Sequence, residues 1–349
     1  MRILWFFSNF GDCTKIVLKT MIMKIKTIAL GVLLCSMALL PVSGKAPFKP
    51  VNPEASKEAR ALLKHLYKLS GTQIISGQHH FPDRYHQDAD RIFEMTGRYP
   101  LMWGCDMAWS PETLIEEAIR QYKSGHVITL MWHAARPMDT GRVDFSKQTQ
   151  GPFSEAQWEE LMTEGSEMQR GWIAQADAVA EHLKILRDHK IPVLWRPYHE
   201  MNGEWFWWGD RKGENGFVKL WKMLYDRFTK VHHLDNLLWV WNANGPRTVP
   251  DTAYAYHHYF PGIDYVDILA TDIYHGDYKQ SHHDELLDLG QGKPIALGEI
   301  GAVPSPEVLA TQNRYVWFMI WARFMEAPNN TPEAIKALYH MPQVMHWEK

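Results

Sequence analysis

Short apolar runs alternate with longer amphipathic stretches along most of this 349-residue chain. Runs of four or five consecutive apolar residues are typical of strands that are buried on both faces of a parallel sheet. The stretches between them carry helix signals; Ser154 and Gln157, for example, have the spacing of a capping box. The eight runs that we interpret as strands are residues 74–77, 100–103, 127–131, 192–195, 237–241, 266–270, 294–297 and 343–346.

The alternation of strands and helices predicts an α/β fold. Eight strands with intervening helices favour a (β/α)8 TIM barrel. A doubly wound sheet is the alternative, but no glycine-rich phosphate-binding turn follows the first run. No Ser/Gly-rich linker, low-complexity segment or fixed-period repeat interrupts the pattern, so we expect a single domain.

Polar residues follow nearly every predicted strand. The carboxyl ends of barrel strands meet at one face, where active sites of this fold assemble, so a polar cleft is expected there. The longest connection, residues 134–171, is expected to be partly helical and to form a wall or lid over this cleft. The polar residues at the strand ends are Gln78, His79, His80, Asp106, His133, Arg196, His199, Glu200, Asn242, Asp272, Tyr274 and Glu299.

The loop after the fourth run, residues 194–209, has the sequence L-W-R-P-Y-H-E-M-N-G-E-W-F-W-W-G. Five of its side chains between Trp195 and Trp208 are tryptophan or phenylalanine, and they surround His199 and Glu200. Most tryptophans in proteins are core or boundary residues. Because this loop is otherwise polar, we interpret the rings as a stacking surface for a flat, weakly apolar ligand such as a sugar.

Two glutamates, Glu200 after the fourth run and Glu299 after the seventh, fit glycoside hydrolysis. That reaction needs two carboxyl groups that flank one bond, one to protonate the leaving oxygen and one to attack or to activate water. The fourth and seventh strands of a closed barrel face each other, so both side chains can converge. We interpret Gly298 and Gly301, in A-L-G-E-I-G, as leaving room for substrate.

The long motif around Glu200 together with A-L-G-E-I-G resembles glycoside hydrolase family 26, whose members are mainly β-1,4-mannanases, and the resemblance covers residues 50–349. It implies a retaining endo-β-1,4-mannanase, of the mannan endo-1,4-β-mannosidase type, that cleaves mannan, glucomannan or galactomannan. Glu200 would be the general acid/base and Glu299 the nucleophile of a double displacement. The family also contains lichenases and β-1,3-xylanases, so mixed-linkage β-glucan and β-1,3-xylan remain alternative substrates.

The resemblance also implies substrate-binding residues. M-W-H-A-A-R-P carries a matching histidine, although the family motif usually continues toward Asn-Pro, which affects the distal subsites. Trp321 or Trp317 would supply the stacking floor, and their spacing does not separate the two. The predicted substrate-binding residues are His133, His199, Trp205, Tyr274, Arg196, Trp208 and Trp321.

The two carboxyl groups are expected to differ in their pKa. Desolvation by Trp205, Phe206 and Trp207 should raise the pKa of Glu200, which must be protonated before the first step. Arg196 is expected to keep Glu299 ionised.

Two rival functions come from other classes. A metal-dependent hydrolase is suggested by the 18 histidines. However, adjacent residues of a strand point to opposite faces, and neither H-x-H nor H-E-x-x-H occurs, so we predict neither a metal nor another cofactor. A non-catalytic carbohydrate-binding protein would need the aromatic rings but not both glutamates. The adjacent histidine pairs are His79–His80, His232–His233, His257–His258 and His282–His283.

Composition and charge exclude other classes of partner. The chain is 46% hydrophobic and 22% charged with a net charge of −3, which is ordinary for a globular enzyme and provides no basic surface for nucleic acid. We expect a monomer whose partner is a mannan-type polysaccharide or oligosaccharide.

The N-terminal residues have the order of a secretory signal peptide. Lys24 and Lys26 precede an apolar run, residues 28–40, and small residues follow it. We therefore assign residues 1–44 to a leader, formed by an over-extended start and a signal peptide, and residues 45–349 to the catalytic domain. The mature chain is expected to be secreted or periplasmic, without a membrane span. Lipoprotein anchoring is the lesser option, because the context of Cys35 matches a lipid-modified cysteine poorly.

Overall fold

The structure, a computed structural model, describes residues 49–82, 84–139 and 143–348. The predicted leader, residues 1–44, lies outside the described residues. Within the described part of the chain, no helix combines the length and apolar character needed to cross a membrane.

Eight parallel strands form a closed barrel, so the predicted (β/α)8 TIM barrel is confirmed. Each barrel strand pairs with the next along the chain, and the first closes the barrel by pairing with the last, with Ile75 opposite Trp317. Two further short strands, the second and the tenth in chain order, lie outside the barrel. The strands are β1 (Ile74–His79), β2 (Tyr99–Pro100), β3 (Met102–Asp106), β4 (Val127–Trp132), β5 (Val193–Pro197), β6 (Leu237–Asn244), β7 (Ile268–Ile273), β8 (Ile295–Ile300), β9 (Tyr315–Ile320) and β10 (Val344–Trp347).

The eighth barrel strand differs from the prediction. The sequence suggested residues 343–346, whereas the barrel is closed by β9, which is buried along its whole length. β10 instead pairs in parallel with the start of β1 and antiparallel with β2, and most of it is only half-buried. The run Y-V-W-F-M-I has the continuous apolar character of a buried parallel strand. However, the spacing of four between Trp317 of this run and Trp321, which follows the strand, is also compatible with a helix.

Helices on the outside of the barrel cover its strands. Leu194 and Trp195 of β5 point to opposite faces, as neighbours in a strand do, and they belong to different apolar clusters. Trp195 stacks on Phe228, at a centroid distance of 5.9 Å, in the segment after the sixth helix. The helices are α1 (Lys57–Leu69), α2 (Gln87–Thr96), α3 (Pro111–Lys123), α4 (Glu155–Met162), α5 (Glu167–Asp188), α6 (Phe217–Asp226), α7 (Gln280–Gly290), α8 (Pro306–Thr311) and α9 (Pro332–Tyr339).

The long connection between β4 and α5, which we call the wall, is partly helical, as expected, and packs against the loop after β5. It contains a π-helical turn, Phe145–Thr149, and α4, which begins with the predicted capping box at Ser154. Gln150 pairs with Phe206 of the loop after β5. The backbone N–H of Gly151 donates to the carbonyl of Trp205 at 2.7 Å. The wall therefore fixes the loop that carries Glu200.

Candidate active site

Glu200 lies in a tight turn that follows β5. Tyr198 and Glu200 have positive φ angles of 50° and 55°, which are uncommon for residues other than glycine. The Glu200 N–H donates to the carbonyl of Asn242 at 2.7 Å, and the Glu200 carbonyl accepts from Gly203 at 2.9 Å. Such backbone conformations persist where the surrounding contacts impose them, often at functional sites. The turn is therefore built to hold Glu200 at the mouth of the barrel.

Two neutral donors hold the Glu200 carboxylate. Trp205 Nε1–H donates to Oε2 at 2.7 Å, and the side-chain amide of Asn244 donates to Oε1. Burial, followed by the charge of Glu299, raises the pKa of Glu200 to about 7, although both hydrogen bonds favour the ionised form. The expected rise through burial is confirmed. Glu200 can therefore both hold and release a proton near neutral pH.

The carboxyl group of Glu299, in β8, lies beside a hydroxyl group, a guanidinium group and an imidazole ring. The Tyr274 hydroxyl donates to Oε2 at 2.8 Å, while Arg196 Nη1 and His199 Nε2 lie 3.5 and 3.9 Å from Oε1. Burial raises the pKa of Glu299, and Arg196 and Tyr274 oppose this rise. Arg196 acts in the expected direction, but burial outweighs it.

The prediction that Arg196 binds substrate does not fit its surroundings. The side chain is 1% exposed. Its Nη1 donates to Asn242 Oδ1 at 2.8 Å and to the Gly298 carbonyl at 3.0 Å. Arg196 therefore supports Glu299 from within the barrel and has no open surface for a ligand.

A third buried carboxyl group, Asp272 of β7, lies beside the two glutamates. Burial, with the charges of Glu299 and Glu200, raises the pKa of Asp272 well above its usual value. Its Oδ1 accepts from the side-chain amide of Asn242 at 2.7 Å. Its surroundings therefore favour the protonated form of Asp272.

His133 and His199 lie edge to face next to the carboxyl groups, with ring centroids 4.4 Å apart. His133 Nδ1 contacts Asp106 Oδ2, and the backbone N–H of His133 donates to Asp106 Oδ1 at 3.1 Å. Burial, with His133 and Arg196, lowers the pKa of His199 well below its usual value. His199 is therefore a neutral ring between the two glutamates.

Most aromatic rings of residues 194–209 belong to the core. Trp195, Trp207 and Trp208 have no exposed surface and Phe206 is 3% exposed, whereas Trp205 is half-buried. Trp208 stacks on Phe206 with centroids 4.4 Å apart and donates to the His199 carbonyl at 2.9 Å. The predictions that Trp208 contacts substrate and that the whole cluster is a stacking surface are therefore wrong. The segment after β4 contacts Phe206 and Trp207 through Gln150, Phe153 and Ala134, which the loop's own sequence could not reveal.

The structure separates the two candidates for the stacking floor. Trp317 is buried within β9, whereas Trp321 follows that strand and is half-buried. Trp321 stacks on His79 at a centroid distance of 4.1 Å and lies 6.4 Å from the ring of His133. His80 instead stacks on Trp103, so this pair diverges as the alternation of strand side chains predicts.

Sequence reasoning missed Asn244 and Arg247. Asn244 donates to Glu200, and Arg247 donates to Asn244 Oδ1. The segment W-N-A-N carried a usable signal, because Asn242 and Asn244 of one strand must share a face. Arg247 lies in the following loop and carried no periodic signal.

Three glycines of the site lie in close packing that leaves no room for a Cβ atom. A Cβ atom at Gly298 would lie 1.8 Å from Asn242 Oδ1, and one at Gly203 would lie 2.2 Å from the Trp205 ring. A Cβ atom at Gly301 would lie 2.9 Å from Tyr274. The space beside Gly298 and Gly301 is thus filled by site side chains, and the interpretation that it admits substrate is wrong.

One group of side chains has the composition of a metal site. Among the described residues, His199, Glu200 and Asp272 bring one potential ligand atom each within 4.8 Å of one another. Both oxygens of Glu200 already accept hydrogen bonds. Burial raises the pKa of Asp272, which disfavours metal binding because a ligating carboxyl group must be deprotonated. We assign the group to proton chemistry, and the absence of a metal requirement stays a prediction.

Comparison with known proteins agrees with this arrangement. The structure of GH26A from Muricauda sp. MAR_2010_75 superposes with a TM-score of 0.82 and 46% identity, over 84% of this chain and 98% of that one. A mannan endo-1,4-beta-mannosidase of Thermothelomyces thermophilus is 34% identical over 84% of this chain, which spans 61% of that relative's length. One of Bacillus subtilis is 29% identical over 83% of this chain and 86% of its own. Residues 51–349 match the description "Glycosyl hydrolase family 26", and the chain belongs to that family.

Proposed function

We propose that this chain is a retaining endo-β-1,4-mannanase that cleaves mannan, glucomannan or galactomannan. The observation that carries the proposal is the pair of buried carboxyl groups, Glu200 and Glu299, which both lie against His199. Two carboxyl groups at one mouth meet the requirement of glycoside hydrolysis. The substrate is inferred from the mannanases among the chain's relatives.

In the first step of the proposed mechanism, protonated Glu200 donates its proton to the glycosidic oxygen as that bond breaks. The Glu299 carboxylate attacks the anomeric carbon and forms a glycosyl ester. The pKa of Glu200, about 7, supports its acid role. Tyr274 and Arg196, which both favour ionised Glu299, support the nucleophile role.

In the second step, Glu200 must act as a base. Once Glu299 is an ester, it no longer carries the negative charge that raises the pKa of Glu200. Glu200 then ionises more readily and removes a proton from water. The water oxygen attacks the anomeric carbon, and the bond to Glu299 breaks, which restores its carboxylate. The same electrostatic coupling thus serves both steps.

The proposal is tested by incubating the purified protein with mannan, glucomannan, mixed-linkage β-glucan and β-1,3-xylan and measuring reducing-sugar release. We expect release from the mannan-type substrates, with oligosaccharide products and an initial β-anomer by proton NMR. Preferential release from mixed-linkage β-glucan or β-1,3-xylan would contradict the mannanase assignment and indicate the corresponding activity instead. No release from any polymer would favour a carbohydrate-binding protein.

We further propose that the mature protein is exported and acts as a monomer. The order of positive, apolar and small residues between Lys24 and Ala46 supports export. N-terminal sequencing of the secreted protein should give a start near residue 45, and a start before residue 40 would contradict the assignment. Light scattering coupled to size exclusion should give the mass of one chain.

A further inference from the structure

Arg247 contacts both residues that donate hydrogen bonds to Glu200. Its Nη1–H donates to Asn244 Oδ1, and its guanidinium lies over the indole of Trp205, with Cζ 5.3 Å from the ring centroid. Asn244 and Trp205 then donate to the two oxygens of Glu200. One cation therefore supports both donors to the carboxyl group.

The contact with Arg247 fixes the orientation of the Asn244 amide. A guanidinium can only donate, so Asn244 must turn Oδ1 toward Arg247 and its N–H group toward Glu200. The backbone of Asn244 is held separately by Asn202, which accepts from its N–H at 2.8 Å and donates to its carbonyl at 2.7 Å. Without Arg247, rotation of the amide would present an oxygen to Glu200, and an acceptor there favours the protonated acid.

The loop around Arg247 does not depend on this side chain. The Arg247 backbone exchanges two hydrogen bonds with Ala253, at 3.0 and 2.9 Å. The guanidinium also pairs with Asp251, whose side chain is 52% exposed, at 2.6 Å. Replacement of Arg247 should therefore leave the loop folded, and Asp251 provides a control for the exposed half of the interaction.

We propose that Arg247 is a positioning residue that keeps Asn244 and Trp205 as hydrogen-bond donors to Glu200. This proposal rests on the proposed role of Glu200 as general acid/base. The polar and charged groups around Glu200 are Glu299, Asp272, His199, Asn244, Trp205 and Arg247. The positive charge of Arg247 and the two hydrogen bonds act in the same direction, since all three lower the pKa of Glu200.

The test compares Arg247→Met, Arg247→Lys and Asp251→Asn with the wild type in pH profiles of kcat/KM. Arg247→Met should lower kcat on mannan about tenfold and move the basic limb to higher pH by roughly half a unit. The loss should be smaller on an aryl β-mannoside with a good leaving group, which needs little acid assistance. If the role of Arg247 were merely structural, the substitution would lower kcat equally on both substrates.

The other two variants separate charge from orientation. Lysine keeps the charge but lacks the planar fork, so Arg247→Lys should resemble Arg247→Met; full recovery by lysine would overturn the proposal. Asp251→Asn should stay within about twofold of wild type. An equal loss of activity in Asp251→Asn would assign the effect to the exposed ion pair, and this result would also overturn the proposal.

An NMR titration keeps this proposal distinct from the proposed function. With carboxyl-labelled glutamate, and Glu200→Gln to assign the signal, Glu200 should titrate at higher pH in Arg247→Met than in the wild type. This result needs no activity. An inactive wild type would therefore overturn the mannanase assignment alone, and an unchanged Glu200 titration would overturn the role of Arg247 alone.

Discussion

Glu200 and Glu299 are both buried at the same mouth, but different kinds of side chain hold them. Glu200 accepts from an indole and an amide, which are neutral. Glu299 accepts from the Tyr274 hydroxyl and lies beside the guanidinium of Arg196. Burial raises the pKa of both groups, so burial alone cannot divide their roles. The neighbours supply the difference, because a cation next to Glu299 favours its ionised form more directly than neutral donors favour ionised Glu200.

The largest expected effect comes from removing the proposed nucleophile. Glu299→Ala should lower kcat/KM by at least about 10⁴-fold on mannan. The loss should be as large on an aryl mannoside, because no leaving group replaces a missing nucleophile. Initial-rate assays on both substrates test this. Retained aryl-mannoside turnover would mean that Glu299 is the acid/base and that the comparison is inverted.

Glu200→Ala should depend on the substrate. On mannan, kcat should fall about 10³-fold, because the departing sugar needs a proton. An aryl mannoside with a good leaving group should keep substantial turnover, and the basic limb of its pH profile should disappear. Glu204→Ala, an exposed carboxylate in the same loop, is the matched control and should retain wild-type activity. Equal losses on both substrates would contradict the acid/base role.

The contrast between these two glutamates was only partly predictable. Strand-end positions and motif context identified Glu200 and Glu299, because the barrel places such residues at one mouth. The burial of Trp208 is not predictable from its own loop, because its ring stacks on Phe206, and Phe206 is held in turn by Gln150 of a distant segment. Arg247 was missed for the same reason, since its role depends on Trp205 and Asn244, which its own loop does not specify. Local pattern thus located the carboxyl groups, whereas tertiary packing determines what surrounds them.

Tyr274→Phe should weaken the stabilisation of the ionised Glu299 carboxylate. The Tyr274 hydroxyl lowers the pKa of Glu299, so its loss should raise that pKa and move the acidic limb of kcat/KM to higher pH. We expect a fall in kcat of about 10- to 100-fold with an unchanged basic limb. Tyr278→Phe, which removes a hydroxyl bound to the Ala302 carbonyl, is the control. A shift of the basic limb instead would indicate that Tyr274 acts on Glu200.

Trp205→Phe should have the smallest effect on kcat, and it should change the basic rather than the acidic limb of the pH profile. Its Nε1–H lowers the pKa of Glu200, so phenylalanine should raise that pKa above about 7 and move the basic limb to higher pH by roughly half a unit. Tyr274→Phe would then narrow the pH profile from its acidic side, while Trp205→Phe would extend it on its basic side with about tenfold lower kcat. Trp321→Phe alters a ring that stacks on His79 and should change KM but neither limb. If Trp205→Phe also changes KM alone, the indole serves only as a surface for the sugar, and the amide of Asn244 is the donor that matters for Glu200.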